Sequence, residues 1–402
     1  MKVLFVNLVY GTGSTGKIIA DIMNLLKKYG NDVKALYGTG ACSDNADTVK
    51  VSGDFGFYFH NAVSRLTDHA GLYSWAATRK MIREIRAFQP DLIHLHTLHG
   101  FYVNYEMLFR FLKEANIPVV WTLHDCWTFT GHCTHFSQVK CVQWQTECRD
   151  CKLLYRYPKC YCKGYVKRNI LRKKNAFTGV KNLTITTPSQ WLADQVSQSF
   201  LQNYPRTVIP NGIDRTIFCP QSSSLREKYH LEDKKIVLGV ANAWNARKGL
   251  PDLLTLAGRL GSGYQVVLIG LIEKQLPDIP SEVLGLLRTA NQTELAQWYS
   301  AADVFVNPTY EETFGLTTVE AQACGTPVVV YETDGCPETV ALGNGCLVSQ
   351  GDMQALENAV RDVADSNWRA EPKKMERFDK DMVYQGYVEL YENILSTLKK
   401  GV

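Results

Sequence analysis

The chain has 402 residues, more than the roughly 250 to 300 at which a single hydrophobic core stops growing, so two domains are expected. With 45% apolar and 21% charged residues it has the composition of an ordinary globular protein, and a net charge of +4 is too small to argue for nucleic acid. No apolar run reaches the roughly 18 to 20 residues of a membrane span, and Met1-Lys2 leads straight into an apolar run, so the expectation is a cytoplasmic protein without signal peptide or anchor.

Short apolar runs alternate with helical patterns along the chain, the mark of parallel sheets covered by helices on both faces. The first half predicts strands at "KVLFVNLVY", "DVKALY", "DLIHLH", "PVVWTLH", "LTITTPS" and "RTVIPN", with a helix over "KIIADIMNLLKK" after the first. The polar, turn-rich stretch "NGIDRTIFCPQSSSLREKYHLED" reads as a linker. Beyond it come "KKIVLGVAN", "YQVVLIG", "VLGLLRTAN", "DVFVNP", "PVVVYE" and "CLVS". The last pattern, "FDKDMVYQGYVELYENILSTLKK", has an apolar and aromatic stripe at helical spacing and no strand after it. The reading is α/β: an N-terminal domain over 1–212 with a Cys/His-rich insertion at about 125–165, a second domain over 213–378, and a closing helix over 379–402 free to pack back on the first. Ligands of two such doubly wound domains are expected at the carboxyl ends of the strands, in a cleft.

"GTGSTGKI", at 11–18, follows the first strand and fits two phosphate-binding signatures. As G-x-G-x-x-G it needs an acid at the end of the second strand for a ribose, and that strand ends in Tyr37 and Gly38. As a P-loop it lacks the last hydroxyl, because Ile18 stands where magnesium would be held. What both readings share survives: glycines admit a close backbone, and the N–H groups of a helix start attract an anion.

In the second domain, "NPTYEETFGLTTVEAQACGTPVVVYETDGCPETV" places a strand end at Asn307-Pro308 and a helix from about Gly315 to a stop at Gly325. The N–H groups at Phe314, Gly315, Leu316 and Thr317 suit a pyrophosphate. Glu312 precedes the helix and Glu320 lies in its second turn, where a carboxylate could accept from ribose or sugar hydroxyls; complementing the helix dipole is the plain alternative. Upstream, "GVANAWNARKGL" sets Arg247 and Lys248 at a strand-to-helix turn. Two cations there would neutralise a departing diphosphate, an ordinary exposed turn being the alternative.

The second-domain segment resembles the donor-site motif of glycosyltransferase family 4, retaining enzymes of the GT-B fold, in which E-x7-E precedes A-x-A-x-G-x-P-V-V. Glu312 and Glu320 match it, with Pro308, Phe314-Gly315, Gly325 and Pro327, and "PSQW" at 188–191 and "IPNGIDRTIF" at 209–218 are similar to further family features in the same order. The resemblance covers essentially the whole chain and implies two Rossmann-like domains facing each other across a cleft. The family pairs an Arg and a Lys six residues apart; Lys248 fits, but Asn242 takes the other place, which leaves Arg247 as the second cation. The glycine loop resembles the family's first loop, which implies donor contacts from Gly13, Ser14, Thr15 and Gly16 and needs neither NAD nor magnesium.

Six of the nine histidines, His94, His96, His99, His124, His132 and His135, lie between 94 and 135. "HLHTLHG" and "WTLHDC" fall at predicted strand ends, where His96, His99 and Asp125 could touch an acceptor. His124 matches the family's active-site histidine, beside the donor sugar; a buried histidine satisfying a carbonyl is the alternative. No carboxylate pair at glycosidase spacing is evident. The resemblance implies front-face displacement, with positioning and leaving-group stabilisation as the catalytic devices.

Seven of the twelve cysteines fall within 126–162, while Cys42, Cys219, Cys324, Cys336 and Cys346 are scattered and read as reduced thiols. Cys133, Cys141, Cys148 and Cys151 could close a structural zinc site, a disulfide or plain buried thiols being the other readings. From Arg156 to Lys174 there are eight Lys or Arg and no acid, interleaved with Tyr155, Tyr157, Tyr161 and Tyr165. That run suits an anionic membrane surface, or is a solvated face; no motif supports nucleic acid.

Together these readings give a cytoplasmic, retaining hexosyltransferase. It would move sugar from a nucleoside diphosphate, UDP before GDP, to a saccharide or polyprenyl-linked saccharide in polysaccharide assembly, with no catalytic cofactor and peripheral membrane contact. A nucleotide-sugar epimerase of the same fold and a silent sugar-nucleotide-binding subunit are the rivals.

Overall fold

The computed structural model describes residues 1–41, 45–162 and 164–400, without the side chain of Lys400; Cys42, and Lys163 of the basic run, lie outside the described residues. In the first half the elements are β1 (Lys2–Asn7), α1 (Gly13–Lys28), β2 (Asp32–Tyr37), β3 (Thr48–Lys50), α2 (Asp54–Thr67), α3 (Trp75–Phe88), β4 (Leu92–Leu95), α4 (Tyr105–Ala115) and β5 (Val119–Thr122), then α5 (Val166–Phe177), β6 (Leu183–Thr187), α6 (Gln190–Ser197) and β7 (Arg206–Val208). The second half has α7 (Leu225–Lys228), β8 (Lys235–Val240), α8 (Leu250–Leu260), β9 (Tyr264–Ile269), β10 (Val283–Leu286), α9 (Gln292–Ala301), β11 (Val304–Asn307), α10 (Leu316–Ala323), β12 (Val328–Tyr331), β13 (Gly345–Val348), α11 (Met353–Asp365) and α12 (Lys380–Lys400).

The strands form a seven-stranded sheet, β3-β2-β1-β4-β5-β6-β7, and a six-stranded sheet, β10-β9-β8-β11-β12-β13, with every pairing parallel. Both are the doubly wound, Rossmann-like sheets expected. The twelve predicted strands are present; β3 was not expected, being three residues of mixed polarity at a sheet edge. Strands buried on both faces explain the continuous apolar runs: in β1, Leu4 and Val6 enter one core while Val3 and Phe5 enter the other.

The chain divides into one compact unit of Met1–Pro210 with Val383–Val402 and another of Asn211–Met382. The polar stretch expected to be a linker belongs to the second unit, where Ile213, Phe218, Leu225 and Leu231 are buried in its core. The closing helix does return to the first unit. On α12, Val383, Tyr384, Tyr387, Val388 and Tyr391 are buried with Val3, Phe5 and the Ile18, Ile19 and Ile22 stripe of α1. At roughly 1.5–3 kcal/mol for each large apolar side chain, that stripe fixes the helix in place.

Candidate active site

In the second unit the site is built from the ends of β8 and β11. After β8 the chain makes one tight turn, Ala246–Lys248, whose preceding Asn245 accepts from the Lys248 N–H at 3.2 Å. Gly249 follows at φ +76°, and a Cβ there would lie 2.2 Å from the Pro308 carbonyl oxygen, so only glycine lets α8 start against the end of β11. The Arg247 guanidinium donates to the Glu311 carbonyl at 2.8 Å, and its own carbonyl accepts from the Tyr310 N–H at 2.8 Å. The Lys248 ammonium forms an ion pair with the Glu312 carboxylate, both half-buried. The two cations and the first glutamate singled out by the sequence thus meet at one place.

Glu312 is fixed from its other side by its N–H, which donates to Asp334 Oδ2 at 3.1 Å. Gly315 caps α10 at φ +100°, with Phe314 buried behind it and Leu316 and Thr317 opening the first turn. Glu320, in the second turn, accepts from the Tyr299 hydroxyl at 2.9 Å. A helix start beside two cations is an arrangement that stabilises an anion.

In the first unit the glycine loop is held by Asn7, which the sequence reading passed over. Its side-chain amide donates to the Val9 carbonyl at 2.8 Å and to the Thr15 hydroxyl at 3.3 Å, while its oxygen accepts from the Thr97 N–H at 3.2 Å. An Asn at the last position of a strand that opens a glycine turn was the available signal. Gly16 is buried and tightly surrounded, since a Cβ there would lie 3.1 Å from the Val9 side chain and 3.2 Å from the Gly11 nitrogen; Gly13 and Ser14 are exposed.

The histidines separate into three layers. His94, fully buried, bonds the Thr122 hydroxyl at 2.7 Å and the Tyr391 hydroxyl at 2.6 Å, so it ties α12 to the sheet. His96 Nδ1 lies 2.9 Å from His124 Nε2 with the rings stacked at 5.2 Å. His96 is 1% exposed, so it positions His124, and His124 is the one of the pair that reaches the surface. Burial lowers His124 to about 4, which keeps it neutral near pH 7. His99 forms the third layer: Nε2 pairs with Asp125 Oδ2 at 2.6 Å and Nδ1 lies 3.1 Å from the Tyr157 hydroxyl. Burial would raise the Asp125 carboxyl, but the His99 ring outweighs it and holds the carboxyl at about 2. Tyr157, read from sequence only as part of a basic run, therefore closes on the proposed acceptor residues.

In the insertion, Cys133, Cys141, Cys148 and Cys151 line one cavity of about 240 Å³ together with His132 and Trp144. The Cys133 thiol donates to Cys151, which lowers the Cys151 thiol, and Cys148 Sγ accepts from the Gly131 N–H at 3.3 Å. All the described cysteines are free thiols, and among the described residues no group of three or more His, Cys, Asp or Glu side chains is placed to hold a metal ion. The wall behind the cavity is polar, and the His132 Nε2 buried in it has no hydrogen-bond partner. His132 bonds Asp68 at 2.5 Å, and Lys173 donates to the Trp127 and Thr130 carbonyls at 2.6 and 3.0 Å. Lys173 is 2% exposed, and burial lowers it to about 7, so it cannot share an outward face with the other cations of the basic run. That part of the run is core, contrary to the expectation of one charged surface. No helix among the described residues is long and apolar enough to cross a membrane.

The model of Glycosyltransferase Family 4 matches residues 16–217, and that of Glycosyl transferases group 1 matches residues 221–382. WcaC of Escherichia coli (strain K12), named as a glycosyl transferase of colanic acid biosynthesis, is 23% identical over 325 residues, covering 77% of this chain and 78% of that protein. The D-inositol 3-phosphate glycosyltransferase of Stackebrandtia nassauensis is 32% identical over 183 residues, 39% of this chain and 41% of that protein. Among solved structures, sucrose-phosphate synthase from Thermosynechococcus elongatus superposes with a TM-score of 0.73 at 17% identity, covering 99% of this chain and all of that one. Anabaena HepE, solved with UDP-glucose, superposes at 0.67 with 19% identity, covering 98% of this chain and 100% of its own. These likenesses give the fold as GT-B.

Proposed function

The chain belongs to Glycosyltransferase Family 4, and on that premise we propose that it is a retaining hexosyltransferase acting in polysaccharide assembly, with the second unit holding the donor and the first the acceptor. The observation that carries the reading is the Lys248–Glu312 ion pair beside Arg247 and the start of α10. A diphosphate at that helix start would draw on both cations as its charge grows during bond cleavage, while Glu320 takes the ribose hydroxyls and Glu312 those of the sugar. The UDP-glucose bound by HepE supports a uridine nucleotide.

On the acceptor side, His124 contacts the sugar as a neutral ring, and Asp125 and His99 orient an incoming hydroxyl. The donor phosphate receives the acceptor proton, so no catalytic metal is called for. The acceptor is a saccharide or a polyprenyl-linked saccharide presented at an anionic membrane on the cytoplasmic side, with the exposed cations of the basic run as contacts. A structural zinc ion at the four cysteines would require their thiols to close in from the positions they hold around the cavity.

The test is a panel of nucleotide sugars screened by thermal shift, followed by radiolabelled transfer to oligosaccharide and lipid-linked acceptors. A ligand at 100 times its dissociation constant raises stability by about 2.7 kcal/mol. Donor turnover with no acceptor requirement identifies an epimerase, and donor binding with no turnover a silent subunit; either outcome overturns the proposal.

A further inference from the structure

Helix α2 is inside out. Its buried side chains are the polar His60 and Ser64, while Phe55 is 85% exposed, Tyr58 68%, Phe59 51% and Leu66 67%. Phe55 and Phe59, one turn apart, stack with their centroids 6.4 Å apart, and Tyr58 and Leu66 continue the same outward stripe at helical spacing. The inward side packs on the rest of the unit, with Phe57 against Phe101, although the buried Ser64 hydroxyl has no hydrogen-bond partner. His60 bonds the Ser74 hydroxyl at 2.6 Å and accepts from the Gly71 N–H at 3.1 Å, which ties α2 to the start of α3, where Trp75 is 50% exposed. A contiguous aromatic face of this kind costs solvation free energy unless something covers it.

The charge around the face says what covers it. Between Phe55 and Arg83 the only acid is Asp68, which is buried and bonded to His132, the Tyr165 N–H and Asn169. The neighbouring loop continues the same chemistry: the Tyr161 N–H donates to the Arg65 carbonyl at 2.8 Å, and the Tyr165 ring lies 5.5 Å from that of His69. That loop contributes exposed Tyr161 and Tyr165, and no acid occurs between Cys151 and Ala193. Arg65, Lys159 and Arg168 are exposed among these rings, with the Lys159 ammonium 4.9 Å from the Tyr161 ring centroid. Exposed aromatic side chains ringed by cations, with exposed Asp54 at the helix start paired to Lys50, match the headgroup layer of an anionic bilayer, where tyrosine and tryptophan sit and each cation gains from the negative surface potential.

We infer that the outward face of α2, with Trp75, Tyr161 and Tyr165 beside it, is a docking surface that inserts into the headgroup region of an anionic lipid bilayer. The inference rests on the membrane contact proposed above and moves its apolar part from the basic run to a helix the sequence reading did not single out. It places attachment in the unit assigned to the acceptor, so a lipid-borne acceptor would be met where the protein is already anchored.

The experiment is co-sedimentation of the full chain with vesicles of phosphatidylcholine alone and of phosphatidylcholine with phosphatidylglycerol. Wild type is compared with the Phe55→Ser/Phe59→Ser double variant and with an Arg65→Gln/Arg168→Gln variant. The serine substitutions replace exposed side chains, and an unchanged melting midpoint verifies the fold. The expected result is binding of wild type to the anionic vesicles alone, weakened at least tenfold in the serine variant, with Trp75 fluorescence quenched by brominated lipid and the quenching absent in Trp75→Phe. Anionic binding that the serine variant retains but the charge variant loses overturns the inference while leaving an electrostatic membrane contact standing. No binding of wild type to either vesicle overturns both. A dimer of wild type that the serine variant dissolves, without vesicle binding, assigns the face to a second copy and also overturns it.

Discussion

Lys248 and Glu312, separated by 64 positions in the chain, form an ion pair at the start of α10, joining the loop after β8 to the loop after β11. Removing the lysine therefore does two things at once: it takes away a cation and leaves a half-buried carboxylate without its partner. Lys248→Ala should cut kcat by roughly 10²–10³, and Lys248→Ala/Glu312→Gln, which relieves the orphaned charge, should recover stability without recovering turnover. Recovery of turnover in the double variant would mean that the pair is only a structural clasp.

Glu320 should act on binding more than on the chemical step. Glu320→Ala should weaken donor affinity by about 1.5–3 kcal/mol, read by calorimetry with UDP and with the donor. Because the Tyr299 hydroxyl is buried against this carboxylate, Glu320→Gln is the companion variant that keeps an acceptor for it. Unchanged UDP affinity in both variants removes Glu320 from the donor site.

His124→Ala should leave UDP binding nearly intact and lower transfer, since the proposed function puts its ring at the sugar and not at the base. His96→Asn is a subtler perturbation: it withdraws the ring stacked on His124 and should lower kcat with KM for the donor unchanged. If UDP affinity collapses in either variant together with activity, the histidine pair is a structural element.

Acid should destabilise the protein well above the carboxylate range. Burial holds His60 at about 4, and burial does the same to His124, against an ordinary value of 6.5. Between about pH 6.5 and 4 the unfolded chain binds protons at these sites that the folded chain refuses, so stability rises with pH there and is lost as pH falls, by about 1.4 kcal/mol per pH unit for each fully shifted histidine. Asp125, held at about 2, adds a term present above its unfolded value of 3.8 and lost as pH falls toward 2. Urea unfolding at pH 7, 6 and 5 measures the slope, and a flat profile across that range excludes the histidine term.

For the cysteines, a zinc ion that draws the four thiols together would show as about one zinc per chain in purified protein, lost in Cys148→Ser or Cys151→Ser along with order in the insertion. Metal-free protein with a full count of titratable thiols gives the alternative of plain buried cysteines.

The parts of the site legible in the sequence were those whose residue types serve the backbone. Gly315, at φ +100°, starts α10 beside Glu312 and could be read as a helix start, whereas the need for glycine at 249, next to Lys248, shows only in the Pro308 carbonyl packed against it. Lys173 and α2 were opaque for the opposite reason. A lysine in a basic run reads as solvated, and only the fold brings the Trp127 and Thr130 carbonyls around it. The helical pattern of α2 shows apolar residues but not which way they point, and the inward bonds of His60 decide that. Tyr157 reached His99 through an insertion whose path no periodicity encodes.

The return of α12 to the first unit fixes an order of events during synthesis. When residue 210 has left the ribosome, the first sheet has all its strands, yet the face carrying Val3 and Phe5 still lacks its last covering helix, and Thr122 and His94 still lack Tyr387 and Tyr391. The second unit, contiguous from Asn211 to Met382, can close on the nascent chain before the first is complete. The unit whose strands are made earlier is therefore completed later, and a chain cut short of α12 leaves the first unit unfinished while the second is whole.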